Sequence, residues 1–405
     1  MRIAVLGGGI LGSCTALELA RRGRRVTLVD GADDIMQGAS RWNEGKIHLG
    51  FVYAGDPSME TARRLIPSGL AFAGLLRRLL ERDLDDFVTP EDEIFLVHRT
   101  SVVDVASFEA YADRTAALVR HAASRPDASY LSDVTAARVR RLSTTELADV
   151  VCSDDVLAGY QVPERSISTV PIADLLRRRV LDAPSIEVRT RTWITGARRR
   201  PDGRLDVMTQ GDQGPRPLDA GPFDLVINAL WEGRLAVDAS LGVHPPAPWS
   251  HRFRAGLFGR APELAIPSAV LCVGPFGDIK RYADGRVYLS WYRAGLLAEG
   301  SGIEPPRSRA RLTPSVRDRV RDETLDALSQ FFPGLLALRD ATAVLTTHGG
   351  WVYALGQGSL ADPGSGLHRR DRVELTTDRG YISVDTAKYG QGPLLARQLA
   401  EMIVG

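Results

Sequence analysis

The feature that most constrains this chain is the glycine run Gly7-Gly8-Gly9-Ile10-Leu11-Gly12. It follows the apolar residues Ile3 to Leu6 and leads into a helical pattern that ends near Arg22. A second apolar run, Val26 to Val29, closes on Asp30. Strand, tight turn, helix, strand and acid at this spacing form a unit that holds a dinucleotide. Gly7 permits the turn, Gly9 lets backbone amides approach a pyrophosphate, and Gly12 lets the helix pack close on the sheet. Ile10 and Leu11 open the helix, where free N–H groups and the helix dipole favour an anion. Asp30 is placed to accept from a ribose hydroxyl. This stretch alone leaves open whether the dinucleotide is FAD or NAD.

A chain of 405 residues has room for two or three domains, or for one interleaved pair. Its net charge of +1 gives no broad basic field for nucleic acid, and its apolar runs are too short to span a bilayer. Cys14, Cys152 and Cys272 form no CxxC pair, so neither a disulfide framework nor a metal site is expected. The first strand begins at the N-terminus with no signal peptide ahead of it, and a reduced, cytoplasmic location is expected. Of 51 basic residues only Lys46, Lys280 and Lys388 are lysine. They either mark places where an ammonium that can lose its proton is wanted, or are left over by chance.

The segment from Gly38 to Tyr53 is too glycine-rich and irregular for a helix, yet it gathers Ser40, Arg41, Asn43, Lys46 and His48. An NAD enzyme would continue into another plain βαβ unit, whereas a flavin protein places a loop of this kind beside its diphosphate and isoalloxazine. The segment resembles the second flavin motif of the D-amino-acid oxidase and glycine oxidase superfamily of FAD enzymes. Asn43, Gly45, Ile47, His48, Gly50 and Tyr53 match best the branch that oxidises 2-hydroxyglutarate. Near the C-terminus, Thr386-Ala387-Lys388-Tyr389-Gly390-Gln391-Gly392-Pro393 resembles the third flavin motif, a turn whose helix amides point at the flavin. The strand Phe223 to Ala229 is expected to end beside the cofactor at Ala229, although Asn228-Ala229-Leu230-Trp231 departs from the superfamily's usual Ala-Thr-Gly or Ala-Gly.

The fold class implied is α/β: a Rossmann-like FAD-binding domain interleaved with an α+β substrate domain built on an antiparallel sheet. The expected FAD-binding parts are 1–85, 165–240 and 340–405, with 86–164 and 241–339 in the substrate domain. Helices are expected at 57–82, 104–124, 133–148 and 314–332, and a small accessory sheet at 186–210.

No Ser-His-Asp spacing, metal cluster or phosphate-transfer motif occurs, so bound FAD would carry the redox chemistry. The resemblance implies oxidation of a C–N bond in a small amino acid or amine by hydride transfer to flavin N5. Two alternatives stand beside it: an FAD-dependent 2-hydroxy-acid dehydrogenase or oxidase, and a non-catalytic flavin-binding subunit. The electron acceptor would be oxygen or another carrier. His48 is a candidate base or covalent flavin ligand, and Lys46 and Lys280 are candidates for catalytic electrostatics. An aromatic wall with arginines suits a carboxylate, which places Arg281, Tyr292, Arg293, Trp351 and Tyr353 as substrate-binding candidates.

Overall fold

The computed structural model describes residues 1–245, 248–304, 312–339, 345–372 and 375–405. Every residue of the strand Ile3–Leu6 is fully buried, because both of its faces are covered. Ile3 and Val5 pack toward helix Ile10–Arg21, and Ala4 and Leu6 toward a layer that includes Ala197, Leu205 and Val207. This strand lies between Leu225–Asn228 and Val26–Val29, parallel to both. The sheet continues in parallel to Ile186–Arg189 on one side and Tyr381–Val384 on the other, with Leu375–Asp378 as an antiparallel edge. Helices Ile10–Arg21, Thr169–Leu181 and Gly392–Val404 pack on one face. The three-stranded meander Ile194–Arg199, Leu205–Gly211 and Gly214–Pro217 covers the other, with helix Arg234–Ser240.

A nine-stranded mixed sheet forms the second layer system. Its longest strand, Trp249–Arg260, pairs from Trp249 to Gly259 with Leu345–Leu355, and on its other edge with Leu296–Ser301 and then Arg286–Trp291. Beyond these lie Gly277–Arg281, Ala269–Cys272, Glu93–His98, Val156–Val162 and Arg140–Arg141. The sequence reading grouped 345–355 with the cofactor-binding part; the structure pairs it into this large sheet.

Alternation assigns the two faces of the sheet. Leu257, Ile279 and Leu289 point to one face and pack on helix Pro314–Ser329. The cross-strand row Lys280, Tyr288, Phe258, Thr346 points to the other, toward the loop that follows Asp30. Helices Glu60–Leu80 and Val105–Ala123 pack together beside that loop. The helix expected over 133–148 is shorter than its pattern suggested. Only Thr144–Val150 is helical, started by a Ser143/Glu146 capping box, and Arg140–Arg141 is a strand. No helix among the described residues is long and apolar enough to cross a membrane.

Candidate active site

At the dinucleotide end, Gly12 is pressed onto the turn: a Cβ there would lie 1.8 Å from the Gly7 carbonyl oxygen. Gly7 adopts a φ of 96° and abuts Ala229, whose amide donates to Leu6, so the strand end lies against the glycine turn. Asp30 accepts from the amides of Gly8 at 2.6 Å and Ala32 at 2.8 Å, and is fixed at the end of its strand. The Ser40 hydroxyl accepts from the Ile10 amide at 2.9 Å, the first N–H of the helix. A Cβ on Gly9 would meet only this Ser40 side chain, at 2.9 Å. Gly9 has no capping side chain of its own, so Ser40 closes a helix end that suits an anion.

The loop is held by its own side chains. Asn43 donates to the Ala39 carbonyl and accepts from the Gly45 amide, both at 2.8 Å. Thr169 donates to the carbonyls of Arg41 and Asn43, and Arg41 pairs with Asp174 at 2.7 Å. Gly45 has a φ of 64° and no room for a side chain, since a Cβ would lie 1.7 Å from the Ile167 carbonyl oxygen. Trp42 stacks on His348 of the large sheet, 3.6 Å between ring centres and 4° between planes. Beside Trp42 and Asn43 a cavity of about 490 Å3 opens toward Phe258, Tyr282 and Thr346.

The C-terminal turn meets this loop. Gly390 faces Ile47 at 3.7 Å and Gly392 faces Ile10 at 3.1 Å, each measured from the position of a Cβ. Gln391 accepts from the Ser68 hydroxyl at 2.5 Å, which ties the turn to helix Glu60–Leu80. Two neighbouring stretches and a third hundreds of residues along therefore share one cleft.

All three lysines of the chain come to this place. Lys46 and Lys280 both donate to the carboxylate of Glu93, Lys280 at 2.8 Å, and all three side chains are buried. Burial would raise the Glu93 carboxyl, but the charges and hydrogen bonds of Lys280 and Lys46 outweigh it and bring it to about 2. Glu164, also fully buried, lies 3.6 Å from Lys46 and accepts from the Leu49 amide at 2.5 Å. An ammonium held this way is a tie between loop and sheet and is not available as a base. Sequence reasoning offered Lys46 and Lys280 for catalytic electrostatics; the structure holds both on a shared partner, Glu93, which that reasoning did not single out.

His48 is buried, its Nδ1 3.9 Å from Glu164, and neither ring nitrogen has a hydrogen-bond partner. Burial and the charges of Lys388, Lys46, Lys280 and Arg370 hold its pKa well below the usual value, so the ring is neutral. Lys388 lies over the Tyr53 ring at 5.8 Å, with no hydrogen bond or ion pair from its ammonium to a described residue. Burial, opposed by Glu44 and reinforced by Arg370, Arg252 and Lys46, brings its pKa down to about 8.

The substrate-binding expectations divide. Tyr292 is near this cluster: its hydroxyl accepts from buried Arg252 at 3.1 Å, and Arg254 lies over its ring at 3.8 Å. Arg293, one residue on, is exposed. Arg281 follows Lys280 and points to the opposite face of the sheet. Trp351 and Tyr353 belong to an aromatic cluster with Trp249, Phe253 and Leu235, where Trp231 donates to the Trp351 carbonyl at 2.6 Å. Sequence reasoning missed Arg252 and Arg370. Arg252 sits in an alternating strand that also carries Arg254 and Arg260, and nothing in that pattern marks it out. Asn228 is explained structurally: its amide donates to the Arg234 carbonyl, to Asp238 and to the Tyr381 hydroxyl inside the core.

These residues fit an FAD: a helix N-terminus flanked by the Ser40 hydroxyl and suited to a pyrophosphate, an acid fixed for a ribose, and a glycine-bearing turn facing the loop at Ile47. Among the described residues no group of His, Cys, Asp and Glu is arranged for a metal ion.

Residues 2–401 match the model of the DAO family, described as FAD dependent oxidoreductase. No curated protein matches the sequence. Glycine oxidase from Geobacillus kaustophilus superposes with a TM-score of 0.64 at 15% identity, over 99% of this chain and 93% of its own. Iminodiacetate oxidase from Chelativorans sp. gives 0.63 at 18% identity, over 99% and 95%. An L-proline dehydrogenase from P. horikoshii gives 0.62 at 15%, over 100% and 92%. At these identities the shared property is the fold. The family match is of another order, running through both sheets and all three stretches of the cleft, and the chain belongs to the family of FAD-dependent oxidoreductases, with FAD as its cofactor.

Proposed function

We propose that this enzyme oxidises the C–N bond of a small amino acid or amine whose reacting carbon stands next to a carboxylate. The observation that carries the reading is Arg252, a buried guanidinium on the sheet that roofs the cleft. Its one hydrogen-bond partner among the described residues is the Tyr292 hydroxyl, and its Nε is buried without a partner. Arg234 in the same fold, equally buried, meets both Asp238 and Asp385. A desolvated cation with no counter-ion of its own suits an anionic ligand, and a guanidinium grips a carboxylate through two N–H groups.

Bound FAD supplies the two-electron acceptor, and the residues of this chain do the rest. The helix N-terminus at Gly9–Leu11, with the Ser40 hydroxyl beside it, would hold the pyrophosphate, Asp30 the ribose, and the turn Lys388–Gly390 the flavin end. Arg252 with Tyr292 orients the substrate carboxylate. The positive field of Arg252, Arg370 and Lys388 disfavours an ammonium, so the substrate amine binds neutral. His48, neutral and unpartnered, can accept a hydrogen bond from the substrate, while its cationic neighbours oppose its taking a full proton.

A 2-hydroxy acid is the second reading, favoured by the resemblance of Asn43 to Tyr53 to the branch that oxidises 2-hydroxyglutarate. A hydroxyl must lose its proton during the reaction, and the positive field that opposes an ammonium favours the alkoxide. Anaerobic mixing of the yellow holoenzyme with D- and L-amino acids, N-alkyl glycines and 2-hydroxy acids tests both. Bleaching by amines supports the first reading and bleaching by hydroxy acids alone the second. A flavin bleached by none of them refutes both.

A further inference from the structure

The strand Tyr381–Val384 ends in a polar cluster sealed inside the fold. Arg234, at the start of helix Arg234–Ser240, donates through Nη1 to the Ser383 hydroxyl at 3.2 Å and to Asp238 at 3.3 Å. Through Nη2 it donates to Asp385 at 3.2 Å. Asp238 also accepts from the Tyr381 hydroxyl at 2.6 Å and the Ser383 hydroxyl at 2.8 Å. Arg234, Asp238, Ser383 and Asp385 are all buried. Asp238 alone can balance the charge of Arg234, so a second acid serves another purpose. Asp385 stands just past the end of the strand, and its other oxygen, Oδ1, accepts from the Ala387 amide at 2.8 Å.

A carboxylate bonded to the amide two residues on bends the chain into a tight turn. Here the bend runs into Ala387, whose φ of 48° is left-handed, a conformation that suits glycine and not alanine. The Lys388 amide then donates back to the Thr386 carbonyl, and Gly390 comes to face Ile47 of the loop. Alanine does not choose this conformation unaided; the side chain that holds its amide is Asp385. We infer that Arg234 and Asp385 are positioning residues for the flavin end of the cofactor. Arg234 aims the Asp385 carboxylate, Asp385 fixes Ala387, and Ala387 sets the direction in which Lys388 to Gly390 leave the turn. This rests on the proposed placement of the flavin beside that turn.

Asp385→Ala is the variant that tests it, because Arg234 keeps Asp238 and Ser383 and the core keeps its charge balance. Reconstituted D385A should bind FAD about tenfold more weakly, the loss that one hydrogen bond to a charged group gives. The visible circular dichroism of its bound flavin should change as well. The double variant D385A/A387G should recover most of both, since glycine takes a left-handed φ without help from a carboxylate. A loss that Ala387→Gly does not recover would mean that Asp385 supports only the core, and overturns the inference. D385A with wild-type affinity and dichroism overturns it too. If D385A does not accumulate as folded protein, D385N reads the same contrast, since its one oxygen cannot serve Arg234 and Ala387 as the carboxylate does. D385N must then show weaker FAD binding that Ala387→Gly recovers. R234K, a single ammonium in place of a fork, should show the same loss with the same recovery. Wild-type affinity in R234K overturns the part given to Arg234. Hydrogen exchange keeps this inference apart from the reading beneath it. FAD should slow amide exchange from Thr386 to Gly392 in the wild type, and equal exchange in apoprotein and holoprotein refutes the placement of the flavin at this turn. Slowed exchange beside an unaltered D385A refutes the positioning role alone.

Discussion

Lys280 donates to Glu93 at 2.8 Å across 187 residues of chain, and Lys46 donates to the same carboxylate from the loop. One buried anion thus joins the loop to two strands of the large sheet. Removing it strands two ammoniums in a desolvated interior. Glu93→Gln should destabilise the protein by about 3–5 kcal/mol, the range for breaking a buried pair. The triple replacement of Lys46, Glu93 and Lys280 by methionine should recover most of that loss in thermal unfolding. If Glu93→Gln unfolds like the wild type, the cluster is not a structural tie.

The same carboxylate sets an acid limit. Its folded pKa of about 2 lies below its ordinary 4.5, so the stabilisation is complete above pH 4.5 and drains away as pH falls toward 2. Denaturant midpoints measured between pH 6 and 3 should fall for the wild type, and the methionine triple variant should show a shallower slope.

Gly12 and Gly9 should respond differently to one methyl group. Gly12→Ala drives a Cβ into the Gly7 carbonyl at 1.8 Å, against backbone that cannot yield. Loss of both flavin retention and stability is expected, read from the ratio of flavin to protein absorbance and from the melting temperature. Gly9→Ala meets only the Ser40 hydroxyl at 2.9 Å, which can rotate, so it should keep the fold and weaken FAD binding in part. The larger Gly9→Val should abolish FAD retention, and a variant with an intact flavin spectrum would contradict the pyrophosphate assignment.

Arg252→Met should raise KM for a carboxylate substrate by about 10- to 100-fold, the equivalent of a charged hydrogen bond of about 1.5–3 kcal/mol. Tyr292→Phe should do less, because it removes only the hydroxyl that steadies the guanidinium. Steady-state kinetics with flavin content normalised would show it. Arg293→Ala, on an exposed residue, serves as the comparison and should change KM little.

Lys388 gives the site a pH dependence with a definite sign. With a pKa brought to about 8, it is charged below that value and helps to hold an anion there. Substrate affinity should therefore weaken as pH rises through about 8, and Lys388→Arg, charged throughout, should lose that limb. His48 should contribute no step near its ordinary value of 6.5, because burial and its cationic neighbours keep it neutral well below that pH. A step near 6.5 that disappears in His48→Phe would overturn that reading.

Much of the geometry of the candidate cofactor half was legible because it is local. Gly7 to Gly12, Asp30, Ser40 and Gly45 act through backbone geometry and short-range contacts, and such demands leave a mark at fixed spacing. The substrate half is long-range and leaves none. Arg252 differs from Arg254 and Arg260 only in what the third dimension sets against it. Glu93 looked like any acid at a strand start until Lys46 and Lys280 arrived from elsewhere. Trp351 and Tyr353 divide: Trp351 packs with Trp249 and Phe253, whereas Tyr353 also lines a small cavity beside Arg370, its hydroxyl buried without a partner. The three lysines do come together in space, Lys46 and Lys280 on Glu93 and Lys388 over the Tyr53 ring.

The C-terminal turn has one more consequence. Helix Gly392–Val404 packs directly on Ile10–Arg21, so the two sequence-distant segments proposed to hold FAD are already in contact. FAD held as proposed would stabilise that helix pair, and loss of flavin would lower the resistance of Gly392–Val404 to unfolding.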